Sequence, residues 1–171
     1  MNMLLARLDA RDRALFQRWS LVDHSRLTRR FWVALTHLGG VACSVAAAAL
    51  PIKAGGAVGA AAQHALATLV VSHLIVQLVK RTVGRPRPSR SVDCRTLVQE
   101  PDRFSFPSGH AAAAMSVAFV YAFAFPALAP VLLPLAFLVG ASRVFLGVHY
   151  PGDVLIGQLI AVLTAIPLVM G

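Results

Sequence analysis

Acidic residues are scarce in this chain, 7 in 171, and cysteines scarcer still, at 2. Charged residues of both signs make up only 13% of the sequence, against 57% hydrophobic residues and a mean hydropathy of +0.70. A water-soluble domain of this length cannot hide so much apolar surface, so the composition indicates a multi-span membrane protein. Two cysteines are too few for a disulfide framework. Cys43 in an apolar run and Cys94 in a polar stretch are read as thiols. The first 30 residues contain seven arginines and no apolar core segment, so they do not read as a secretory signal. No internal repeat is present, and the alanine runs are ordinary small-residue packing in lipid.

What the chain does have is positive charge, a net +9 with a pI of about 11.3. Such a balance often marks a nucleic-acid binder. Here the arginines adjoin apolar spans, so the partners expected are anionic lipid headgroups and phosphorylated membrane substrates, with no nucleic acid. Residues 1–30 hold Arg7, Arg11, Arg13, Arg18, Arg26, Arg29 and Arg30. At 100° per residue, Leu4, Leu8, Leu15, Phe16, Trp19 and Val22 share a face, with Asp12 the one polar intruder. This segment reads as an amphipathic helix lying in the membrane interface.

Five apolar runs follow, at 31–50, 55–79, 109–125, 131–146 and 154–170. The fold class expected is all-α: a polytopic membrane helix bundle of about five transmembrane helices, forming one domain over 31–171 after the interfacial helix at 1–30. His37, His64, His73 and Gln77 lie inside the first two spans, where interhelical hydrogen bonding is their ordinary use. His73 and Gln77 are four apart near the basic end, which places one of them to border a polar cavity. Gly55 and Gly59 have GxxxG spacing, compatible with a homodimer but also with close packing inside one chain. The long polar stretch is 80–108, with Lys80, Arg81, Arg85, Arg87, Arg90, Arg95 and Arg103, and a loop of this length in a small protein is usually functional.

Five alternating spans bring the end of span two, the start of three, the end of four and the start of five to one face. That face collects Lys80, Arg87, Ser108, His110, Ser142, Arg143, His149 and Asp153. Ser108 is a good helix N-cap. With Gly109 and His110 it opens an apolar helix, whose free N–H groups and positive dipole end suit a phosphate. His149 and Asp153 are four apart across a helix start and share a face. The carboxylate fixes the imidazole tautomer and leaves the other nitrogen a better nucleophile. His110 arrives from a different helix, and Lys80, Arg87 and Arg143 supply positive charge for phosphoryl oxygens. Such a set describes a phosphoryl-transfer site with no metal or other cofactor, since the face offers too few His and carboxylate ligands for one.

These residues resemble the type 2 phosphatidic-acid phosphatases, a superfamily that includes vanadium haloperoxidases. The pattern KxxxxxxRP is matched by Lys80 through Arg87-Pro88, PSGH by Pro107-Ser108-Gly109-His110, and SRxxxxxHxxxD by Ser142-Arg143, His149 and Asp153. The three motifs are intact and in order, and they span 80–153. The resemblance implies a metal-independent phosphatase in which His149 attacks phosphorus to give a phosphohistidine, Asp153 orients it, and His110 serves as general acid and then base. It assigns the phosphate oxygens to Lys80, Arg87, Ser108, the Gly109 amide and Arg143. Many relatives have six spans. Five are counted here, with the interfacial helix in place of the first.

The substrate class expected is a lipid phosphate or a polyprenyl phosphate or diphosphate, whose tail stays in the bilayer. With five spans the N-terminus shares the site's face, which carries 15 of the 16 Lys and Arg, all except Lys53. The positive-inside rule then turns the site toward the cytoplasm of a bacterial-type inner membrane. A phosphotransferase is the nearest alternative. A transporter with a basic mouth, or a lipid-binding scaffold, explains the spans but not three spaced motifs.

Overall fold

The computed structural model describes residues 3–20, 25–92, 94 and 96–171, and among them the chain is helical, with no β-strand. Seven α-helices are formed: α1 Met3–Ser20, α2 Arg26–His37, α3 Val41–Ala49, α4 Gly56–Val83, α5 Gly109–Ala124, α6 Ala129–Phe145 and α7 Pro151–Met170. Among the described residues, α4, α6 with the short turn before it, and α7 are long and apolar enough to cross a membrane. The bent pair Arg26–His37 and Val41–Ala54 counts as a fourth if it crosses as one span, and α5 is shorter at 16 residues.

The helix α5 is the hub. It packs against α4, α6 and α7, and its Ala111, Ala112, Ala113, Met115, Ser116, Ala118, Val120 and Ala122 are buried. A helix apolar on every side belongs in the middle, and its small side chains allow close approach from all directions. A buried hydrogen bond of 2.9 Å between Ser72 and Ser116 ties it to α4. The outward faces carry exposed Val70, Leu74, Leu78, Leu155, Leu159 and Leu163, a surface suited to lipid.

Two features depart from the expected organisation. The first span is not continuous. It breaks at Leu38–Gly40, and the two parts bend by 47°. Gly39 explains the break: a Cβ there would lie 2.6 Å from Val139 Cγ1 and 2.7 Å from the His110 carbonyl oxygen, so α5 and α6 approach the backbone itself.

The N-terminal segment is also two elements: α1 ends at Ser20, and Arg26, Arg29 and Arg30 begin α2. Val22 and Arg95 lie outside the described residues, as does the side chain of Leu4. The helix α1 packs on α6 and α7, with Phe16 fully buried against Tyr150, their ring centroids 5.3 Å apart. Leu8, Leu15 and Trp19 stay about half exposed. Gly59 meets the Ile52 carbonyl within the chain, while Gly55 lies in the turn at φ +67°.

Candidate active site

Local sequence signals place each polar group. The helix α6 ends in a Schellman motif: Gly147 at φ +77° donates to the Val144 carbonyl (3.0 Å), and Val148 N–H to the Arg143 carbonyl (3.1 Å). His149 N–H also reaches the Arg143 carbonyl, at 3.2 Å, so the turn fixes His149 relative to Arg143. Tyr150 then caps α7, and Asp153, at the third helical position, accepts from the Tyr150 N–H at 2.9 Å. Ser108 caps α5, its hydroxyl oxygen accepting from the Ala111 N–H at 3.5 Å, and its own N–H donates to the Asp153 carbonyl at 2.9 Å. The starts of α5 and α7 are thus joined backbone to backbone.

His149 is buried at the centre. Its Nε2 lies 3.3 Å from Arg87 Nη1, and its Nδ1 lies 3.5 Å from Asp153 Oδ2. Arg87 can only donate, so a bond to it requires the lone pair on Nε2. The proton therefore sits on Nδ1, facing the carboxylate. Burial, then the charges of Arg143, Arg87 and Lys80, hold the imidazole well below its ordinary pKa and favour its neutral form.

Around it stand three cations. Lys80 donates to the Phe104 carbonyl (2.8 Å) and to Asp102 Oδ1 (3.3 Å). Arg87, fully buried, donates to the Asp102 carbonyl (2.7 Å), Asp102 Oδ1 (2.8 Å) and the Val148 carbonyl (2.8 Å). Arg143, 1% exposed, donates from Nη1 to Thr36 Oγ1 at 2.7 Å, while its Nε and Nη2 have no hydrogen-bond partner.

His110 and His149 line one cavity of about 460 Å³, together with Lys80, Asp102 and Gly109. The cavity then runs between α3 and α4 along Leu66, Leu69 and Val45 to Val41, Val70 and Leu74 on the outer surface. His73 and Gln77 also line it, bonded to each other at 3.2 Å within α4, although the lining is mostly apolar and not the polar cavity expected for one of them. His64 is exposed instead.

The expected residues thus gather at one end of the bundle. Ser142 differs in turning its hydroxyl back to the Val139 carbonyl. Residues not singled out from the sequence also belong here. Asp102 neutralises Lys80 and Arg87. Burial opposes its ionisation, but the two cations outweigh that and hold its carboxyl below the usual range. Arg85 donates from Nη1 to Asp153 Oδ1 at 2.6 Å. The signal for Asp102 was an acid inside a basic loop; the signal for Arg85 was its repeat of the Arg-Pro pair two residues before Arg87.

Fold and site together define an integral-membrane helix bundle with a cationic anion pocket built around two histidines. A family model described as the PAP2 superfamily matches residues 61–170, and the chain belongs to that superfamily. The chain is 40% identical over 130 residues to a decaprenylphosphoryl-5-phosphoribose phosphatase of Mycolicibacterium smegmatis, covering 74% of this chain and 62% of that protein. It is 36% identical over 95 residues to a lipid A 1-phosphatase of Rhizobium johnstonii, covering 53% and 39%. The matches therefore span less than two thirds of these curated relatives. Among solved structures, Aquifex aeolicus LpxE superposes with a TM-score of 0.82 at 25% identity, covering 92% of this chain and 94% of that one. A PAP2-type phosphatidylglycerolphosphate phosphatase from Bacillus subtilis superposes at 0.77 and 26% identity, covering 95% and 84%.

Proposed function

We propose that the protein hydrolyses a lipid phosphate or a polyprenyl phosphate or diphosphate at His149, through a phosphohistidine and without a metal. The observation that carries this is the continuous cavity. One end holds two imidazoles and Lys80, with Arg87 against His149 behind it, and the other is an apolar groove open to the bilayer side. A phosphate fits the first end and a hydrocarbon tail the second.

His149 Nε2 attacks phosphorus while its Nδ1 proton remains toward Asp153 Oδ2, which stabilises the imidazolium that develops. Arg143 offers its two unpartnered nitrogens, Nε and Nη2, to the phosphoryl oxygens, and Lys80, Arg87, the Ser108 hydroxyl and the Gly109 amide complete the set. His110, across the cavity, gives a proton to the leaving oxygen. It then takes one from the water that cleaves the phosphorus–nitrogen bond.

Sidedness follows the charge. Because α1 packs on the site's end, the N-terminal arginines and the site share a face, and the positive-inside rule turns that face to the cytoplasm. Anionic headgroups are the surface expected to meet those arginines.

The test is release of inorganic phosphate from a panel of detergent-solubilised lipid and polyprenyl phosphates by the wild type and His149→Ala, with and without chelator. Release by the wild type alone, unaffected by chelator, is the expected result. Equal activity of the variant removes the mechanism, and magnesium dependence removes its metal-free form. Phosphate moved to a lipid alcohol with none released assigns transfer instead. A C-terminal alkaline phosphatase fusion is active if the site faces the cytoplasm, and inactive if it does not.

A further inference from the structure

The helix α1 takes no part in the chemistry above, yet it contacts the group behind the nucleophile. Asp12 Oδ1 accepts from the Gly152 N–H at 2.7 Å, a contact across 140 positions of sequence. Its Oδ2 accepts from Arg85 Nη1 at 2.7 Å, the same nitrogen that donates to Asp153 Oδ1 at 2.6 Å. Asp9 Oδ1 takes Arg85 Nη2 at 2.7 Å, and the guanidinium lies over the Tyr150 ring, 4.0 Å from its centroid. Arg85 and Asp12 are each 14% exposed, whereas Asp9 is 40% exposed and shared with Arg13.

The geometry points to Asp12 as a positioning residue for His149, acting through Arg85 and Asp153. The inference rests on the phosphatase reading of His149. The reason lies in the shape of guanidinium. Its fork favours a bidentate grip on a carboxylate. Such a grip on Asp153 would draw Oδ2 away from the Tyr150 N–H and from His149 Nδ1. Asp9 holds Nη2, the donor an end-on second contact would need, and Asp12 draws Nη1 toward α1, so Arg85 holds Asp153 by one oxygen and leaves the other for histidine. Asp12 also secures the first turn of α7. A Cβ on Gly152 would lie 2.8 Å from Asp12 Oδ2, so any larger residue there would push this carboxylate aside.

The experiment uses the full-length protein in detergent, with inorganic phosphate release and ¹⁵N spectra of labelled histidine as separate readouts. Asp12→Ala is expected to lower kcat about tenfold with KM within twofold, and to move the His149 ring resonances. Gln17→Ala, on the exposed side of α1, changes neither. Because lysine has no fork, Asp12→Ala in an Arg85→Lys background is expected to change kcat less than twofold. Unchanged kcat and unchanged His149 resonances overturn the proposal, and so does an undiminished loss in the Arg85→Lys background. Should Asp12→Ala fail to fold, the isosteric Asp12→Asn is judged by the same results. An inactive wild type whose His149 resonances still move with Asp12→Ala sinks the phosphatase reading and leaves the positioning intact.

Discussion

Replacing Arg143 by methionine separates activity from stability. The guanidinium is 1% exposed and makes one hydrogen bond, to Thr36, while its Nε and Nη2 have none. Each buried, unpaired donor costs about 1–3 kcal/mol, so the two cost about 2–6 kcal/mol. The charge-assisted bond to Thr36 returns about 1.5–3 kcal/mol. Arg143→Met keeps an unbranched stem and removes both terms, for a net stabilisation of about 2 kcal/mol, or roughly 4–8 °C in Tm for a chain of this size. In the proposed mechanism the same change deletes donors to the phosphoryl oxygens, where losing one typically costs about 10²–10³-fold in kcat.

The expected result is therefore a hotter melting, nearly inactive protein, followed by differential scanning fluorimetry and phosphate release on one detergent preparation. Added inorganic phosphate should raise the Tm of the wild type and leave that of the variant unchanged. A variant that melts lower and keeps more than a tenth of wild-type activity refutes the reasoning, because Arg143 would then hold the fold and not the anion.

Three further outcomes follow from the same geometry. His149→Ala should abolish turnover, whereas His110→Ala should slow it and accumulate acid-labile phosphoenzyme, visible with a ³²P-labelled substrate. Since the folded protein holds His149 below the unfolded value of about 6.5, the unfolded chain binds the extra proton first. Stability from this group is complete above that value and lost as pH falls through it, so the Tm should drop on acidification and drop less in His149→Gln. Gly39→Ala should destabilise by about 1–3 kcal/mol and reduce kcat, because its new methyl meets the His110 carbonyl, a backbone atom with little room to yield; an unchanged Tm would show that the break in the first span is slack.

Much of this was legible in the sequence. Uninterrupted apolar runs fix where helices α4 to α7 lie, since lipid leaves the backbone no other partner than itself. Motif spacing identified Lys80, Arg87, His110, Arg143, His149 and Asp153, because each sits near the end of a helix whose position those runs determine. The break at Leu38–Gly40 was signalled only by the Gly39-Gly40 pair inside a run long enough for one span, and the approach of Val139 and the His110 carbonyl accounts for Gly39. Asp12 shows the other limit. Helical periodicity marked it as a flaw in an apolar stripe, but a period reports which side a residue is on, not that the side carries a cation and an open helix start. Arg85 was hidden by its neighbour, since two arginines in one Arg-Pro-Arg-Pro stretch look interchangeable until one is seen behind Asp153 and the other beside His149.

The groove between α3 and α4 has a kinetic consequence. Val41, Val70 and Leu74 stand half or more out of the protein, so a tail lying along them would never leave hydrocarbon on its way to His149. Encounter then takes place in two dimensions. Its rate is set by the mole fraction of substrate in the surrounding lipid or micelle, and adding inert detergent at constant bulk substrate would slow the protein as effectively as withholding substrate.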